Sequence, residues 1–211
     1  MKHTLTDEEQ KELDRRVAEV EQRTGAQIVI AVIERSDAYP ELPWKAFALG
    51  ASLAGLAVLV MNLIWPLASP ERAALLAIVM MLSAGAGLAL LCVFVPDFAR
   101  LFLQTHRAEA ETRQYAESLF LSRRMFAARD RRAALLMVSL FERWIVVLPD
   151  AGLAQKLNRP ATEPVIEYMR GDLKAGKTAL ALEAGLTTIE EILMQTKAPD
   201  ELPNLIEEKG A

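Results

Sequence analysis

The sequence predicts an α/β domain interrupted by a two-helix transmembrane hairpin. Three observations carry this expectation. Two uncharged runs, residues 46–65 and 73–95, stand in an otherwise charged chain, and about 20 apolar residues in helical form cross a ~30 Å hydrocarbon core. On either side of them lie short apolar runs rich in β-branched residues, the pattern of buried strands. Between those runs apolar residues recur at spacings of three and four, the pattern of helices packed on one face.

Each element follows in order. Thr6-Asp7-Glu8-Glu9 is a capping box, Leu13, Val17 and Val20 form an apolar stripe, and Gly25 is a stop. Ile28–Ile33 is six consecutive apolar residues and reads as a central strand buried on both faces. The spans follow, with Trp44 and Trp65 where interfacial aromatics belong. The link Pro66–Arg72 is too short for a domain, so both flanks lie on one side of the membrane. Arg35, Lys45, Arg100, Arg107 and Arg113 flank the outer ends, whereas the turn carries only Arg72. The positive-inside rule then places both termini and the soluble domain in the cytoplasm. Ala51 with Gly55, and Ser83 with Gly87, have the four-residue spacing that lets helix backbones approach. They suit packing of the hairpin on itself or self-association; Asn62 and Ser83 add possible interhelical hydrogen bonds.

After the spans, a long helix is expected from Asp97, or at least from Ala108, to about Leu121, its first part continuing from the membrane. Arg123–Arg132 is a basic loop. Ala133–Leu140 is a second strand, Phe141-Glu142 a tight turn, and Arg143–Leu148 a third strand, making an antiparallel hairpin. Helices are expected at 151–157, 161–173 and 177–195, and an acidic, proline-containing tail frays. The domain plan is therefore 1–44, 45–96, 97–197 and 198–211, the two soluble parts joining through strand pairing.

Composition narrows the chemistry. Twenty-four Lys and Arg against 28 Asp and Glu leave a net charge of −4, which argues against general nucleic-acid binding. Cys92 is the single cysteine and lies inside the second span, so it forms no intrachain disulfide and offers no aqueous nucleophile. Histidine occurs only at His3 and His106, too few for a zinc cluster. No Gly-x-Ser-x-Gly elbow or Walker-type loop is present. The spans hold no ionisable residue, against an ion or proton pathway.

What remains is carboxylate chemistry. Glu34 and Asp37 follow the first strand, Asp130 precedes the second and Asp150 follows the third. Asp130 and Asp150 are expected at one end of the sheet, joined by Glu34 if the first strand runs parallel to the third. Such oxygens suit Ca²⁺ or Mg²⁺, which would activate water for phosphate-ester hydrolysis. The same acids read equally as solvated loop residues. Arg123, Arg124, Arg129, Arg131 and Arg132 suit phosphate, an acidic partner or anionic lipid headgroups; they too read as a solvated loop.

Several stretches in order resemble the TPM-domain family: Leu5–Gln10, Arg23–Ile30, Ala134–Arg143, Ile145–Leu153 and Tyr168–Gly176. The resemblance covers nearly all of the chain outside the hairpin and the tail. It is nearest to bacterial members with a membrane insertion between the first strand and the following helix. It implies an α/β/α sandwich around a small mixed sheet, in the inner membrane. Relatives include phosphatases, calcium binders and accessory factors of membrane complexes, so the fold alone does not select a function. Two departures stand out. The segment Met125–Ala134 has no glycine where many relatives have one, and the Gly-x-Gly after the third strand is reduced to Asp150-Ala151-Gly152. The leading expectation is a non-catalytic interaction or assembly module for membrane partners; the alternative is a divalent-metal-assisted phosphatase built on the four carboxylates.

Overall fold

Thr6 opens the first helix as its spacing predicts. A computed structural model, which describes residues 5–65 and 69–195, carries α1 over Asp7–Thr24. The Thr6 side chain accepts from the Glu9 amide, and the Glu9 carboxylate accepts from the Thr6 amide at 2.7 Å. Gly25 ends the helix at φ 65°, a left-handed conformation that glycine adopts without steric cost.

The remaining elements are β1 (Gln27–Ile33), α2 (Glu41–Ile64), α3 (Pro70–Phe94), α4 (Pro96–Arg100), α5 (Thr105–Ser122), β2 (Ala133–Ser139), β3 (Trp144–Pro149), α6 (Arg159–Lys174) and α7 (Thr178–Met194). The sheet order is β1-β2-β3. The Gln27 amide donates to Arg132 O, and the Leu140 amide to Ile33 O, so β1 and β2 run parallel. The Asp150 amide donates to Ala133 O, which pairs the end of β3 with the start of β2 in an antiparallel hairpin. The sheet is thus mixed, and a strand before the hairpin does pair with one after it.

One expectation is corrected here. β1 is an edge strand, not the central one; β2 occupies the centre and all seven of its residues are buried. Nor is β1 buried on both faces: Ile28 alone is buried and residues 29–33 are half-buried, as suits a strand with one neighbour. The free edge of β1 is guarded by Glu21 of α1, whose carboxylate accepts from the Ile28 amide at 2.8 Å.

The chain divides into two compact units. The first comprises Met1–Val32, Ala116–Val138 and Ile145–Ala211. Its core joins β2 to Val20 of α1, Val165 and Met169 of α6, and Leu182, Leu186 and Ile189 of α7. Gly185 lets α7 approach closely: a Cβ there would lie 2.6 Å from Met169 Sδ. The buried Glu190 of α7 takes Arg16 at 2.7 Å and Arg23 at 3.1 Å, both from α1. Residues 151–157 form consecutive turns rather than the expected helix, and the helix begins only at Arg159, where Asn158 caps it. The C-terminal tail expected over 198–211 lies outside the described residues.

The second unit comprises Ile33–Tyr115 and Ser139–Trp144. α2 and α3 are both long and apolar enough to cross a membrane. They pack through Ala46, Gly50 and Ala54 on α2, and Gly85 and Cys92 on α3. A Cβ on Gly50 would lie 2.6 Å from Ala84 O. Of the pairs the spacing singles out, Gly55 lies in this contact, where a Cβ would be 3.2 Å from Met81 Sδ, whereas Ser83 and Gly87 are exposed. The expected continuous helix out of the membrane is also corrected. Val95 is extended, Pro96 starts the five-residue α4, and a break at 101–104 precedes α5. Proline lacks the amide a continuing helix needs.

Candidate functional site

The four sequence-selected carboxylates have separate partners. Asp150 is buried at the end of β3. Arg131 grips it in a fork, Nε at 3.0 and 2.9 Å from the two oxygens and the terminal nitrogen at 2.7 Å. The Ala151 amide adds a third donor at 2.7 Å. Both oxygens are thus engaged, Oδ1 by all three donors and Oδ2 by the shared Nε–H. The Arg131 guanidinium, opposed by burial and helped by the Ala151 amide, holds the Asp150 carboxyl below the usual carboxylate range. Asp130 is exposed, with only Arg129 near it at 3.8 Å. Gly152 packs so tightly on the Asp130 and Arg131 carbonyls that no Cβ fits.

Glu34 is exposed and uses its backbone carbonyl to accept from the Phe141 amide. Asp37 accepts from the Ala38 amide at 2.7 Å and pairs with Arg107 at 3.4 Å. The condition for Glu34 to join Asp150 was a first strand parallel to the third; β1 is parallel to β2 and hence antiparallel to β3. Among the described residues no three His, Cys, Asp or Glu side chains gather to hold a metal ion.

The basic segment folds into two successive 3₁₀ turns, Met125–Ala127 and Arg129–Arg131. Arg131 serves Asp150, and Arg132 donates to Thr24 O at 2.7 Å. Arg123, Arg124 and Arg129 are exposed. Arg124, Asp130 and Arg131 all have φ between 52° and 55°, a region where each side chain costs about 1 kcal/mol. These are the conformations glycine would relieve, and this segment has none.

Sequence patterning overlooks another buried carboxylate. Glu142, in the β2–β3 turn, accepts from the Ser36 amide at 2.9 Å and the Ser36 hydroxyl at 2.6 Å through one oxygen. Its other oxygen accepts a short hydrogen bond from Ser139. The Ser36 hydroxyl, its proton committed to Glu142, is left to accept from the Tyr39 hydroxyl at 3.1 Å. Burial pushes the Glu142 pKa up, but donation from Ser139, Ser36 and Tyr39 outweighs it, and the carboxyl lies below its ordinary value. Burial raises the Tyr39 hydroxyl well above the normal tyrosine range.

Tyr39 has φ 47° although it is not glycine, and its buried ring stacks on Phe141 at 5.8 Å. Around it Arg107 pairs with Asp37, Glu41 and Glu111, and Arg35 covers Phe141 at 4.0 Å. The Ser36, Ser139 and Tyr39 hydroxyls donate to or relay toward an anion already held, and Ser139 is wholly buried. The arrangement fixes backbone. The available signal was a strand-connecting turn, Leu140–Arg143, made without glycine, proline or asparagine. Comparison with protein-family models, curated proteins and solved structures finds no match.

Proposed function

We propose that this chain is a membrane-anchored, TPM-like module that docks membrane-associated partners and performs no chemistry of its own. The observation that carries the reading is the surface of α2 and α3. Only 11% of the most apolar window of each helix is buried, whereas the core helix of a soluble protein buries most of its apolar face. Leu53, Leu56, Leu63, Val79 and Phe94 face outward, as do Trp44 and Trp65 at the two ends of α2. Lipid is the medium that accepts such a surface. Lys45 turns back to the Phe102 carbonyl at 3.3 Å, keeping its charge at the end of the span. With Arg35, Arg100, Arg107 and Arg113 outside the spans and Arg72 alone in the turn, the inner-membrane orientation has both termini cytoplasmic.

The order of the matching stretches and the mixed sheet support the TPM-like reading. The phosphatase alternative requires Asp150 to give up Arg131, and Asp37 to give up Arg107.

Alkaline carbonate extraction of membranes tests the anchor: the chain stays in the pellet, and release into the supernatant refutes integral insertion. A periplasm-active reporter inserted after Ser69 is active, and one fused after Ala211 is inactive. The reverse pattern overturns the orientation.

A further inference from the structure

Within the first unit, one continuous stretch, 121–129, combines exposed arginines with exposed apolar side chains. Leu121 is 62% exposed and Phe126 42% exposed, and Arg123, Arg124 and Arg129 stand between and beside them. Among the described residues Arg123 and Arg124 have no hydrogen-bond or ion-pair partner on their side chains. Asp130 is the one acid in this stretch, with Arg129 at 3.8 Å, and the face stays basic. A run of tight backbone turns, from the Arg123 amide on Leu119 O to the Arg132 amide on Arg129 O, holds the segment compact. The left-handed Arg124 shows that this presentation is held against local preference.

We propose that the acidic C-terminal segment of this same chain, residues 196–211, docks on the face formed by Leu121, Arg123, Arg124, Phe126 and Arg129. Its chemistry is complementary. Asp200, Glu201, Glu207 and Glu208 outnumber Lys197 and Lys209, and Leu202, Leu205 and Ile206 lie among them. Its tether starts nearby. The last turn of α7 is tied to the 151–157 turns by Lys156, which donates to Leu193 O at 2.9 Å. Those turns are tied in their own right to the basic segment, the Gly152 amide donating to Arg131 O at 3.0 Å. Sixteen residues span at most about 55 Å when extended, and a segment so tethered meets its target at about millimolar effective concentration.

Anionic headgroups share the charge argument but lack the tether. The inference goes beyond the membrane-module reading and stands without it.

The test uses the full chain in uncharged detergent micelles, with a photo-crosslinking amino acid in place of Leu205. Intramolecular products map to the peptide spanning 121–129. Reversing the face with Arg123→Glu, Arg124→Glu and Arg129→Glu cuts their yield about fivefold, the scale of a few exposed charge pairs acting at millimolar effective concentration. Reversing the segment alone, with Asp200→Lys, Glu201→Lys, Glu207→Lys and Glu208→Lys, gives the same loss without touching the face. Combining both sets restores the yield. Products spread over other surfaces, products that scale with protein concentration, or yields indifferent to charge overturn the proposal. In phosphatidylglycerol nanodiscs the intramolecular product persists; its replacement by crosslinks to lipid assigns the face to headgroups instead and also overturns it.

Discussion

Glu142 offers the most decisive test of the structural reasoning. Among the described residues it is the acceptor for the Ser36 amide and the Ser139 hydroxyl, both of which lie in partly or fully buried surroundings. Glu142→Ala leaves these two donors unpaired, at about 1–3 kcal/mol each, so the expected loss is about 4 kcal/mol. For a chain of this size that lowers Tm by roughly 8–16 °C. Glu142→Gln keeps one oxygen for both Ser36 donors, and the Ser139 hydroxyl turns to accept from the new amide. It forfeits only charge assistance, about 1 kcal/mol. Unfolding of the full chain in detergent, followed by the fluorescence of Trp144 beside the turn, ranks the variants as wild type, then Gln, then Ala. The pH dependence has a definite sign. The folded pKa of Glu142 lies below its ordinary 4.5, so its ionisation stabilises the fold above that value. This contribution is lost as pH falls through the lowered pKa. The gap between wild type and Glu142→Gln is therefore constant from neutral pH down to about 5 and closes in stronger acid. An alanine variant as stable as glutamine, or a gap that grows in acid, refutes the account.

Further outcomes follow from the same packing. Gly185→Ala drives a Cβ into Met169 Sδ at 2.6 Å and costs about 1–3 kcal/mol of overpacking, read as a lowered unfolding midpoint with α6 and α7 losing hydrogen-exchange protection. Gly50→Leu collides with the Ala84 carbonyl and splays the hairpin; cysteines placed at Ala54 and Met81 crosslink less efficiently than in the parent. Arg131→Gln strips Asp150 of its guanidinium fork, two of its three donors. It lowers Tm at neutral pH and narrows the difference in acid, because the lowered Asp150 pKa stabilises the fold only while the group is ionised. Ca²⁺ or Mg²⁺ leaves the melting of wild type unchanged; a rise abolished by Asp150→Ala establishes the carboxylate site after all.

Much of this molecule is legible from short-range patterns, because the forces involved are local. Thr6 and Glu9 cap the first helix through groups three residues apart, and Gly25 stops it through its own φ. The two helices long and apolar enough to cross a membrane are legible because apolarity is a property of a run of residues rather than of its neighbours. The β2–β3 hairpin follows from two apolar runs and a short gap.

What required the tertiary structure is everything set by partners distant in sequence. Apolar content could not rank β1 against β2, because an apolar run does not say which strand lies between two others. The helix contact at Gly50 and Gly85 was not separable from Ser83 and Gly87, because four-residue spacing marks two faces of one helix equally well. Asp150 looks available as a ligand in sequence, but Arg131, nineteen residues earlier, grips it in a fork. Glu142 looked like a turn residue until Ser36, 106 positions away, was placed against it. A charge in a sequence carries no record of whether it will meet water, a cation or a set of buried donors; only the packed chain decides that, and with it whether the group binds, reacts or holds the backbone in place.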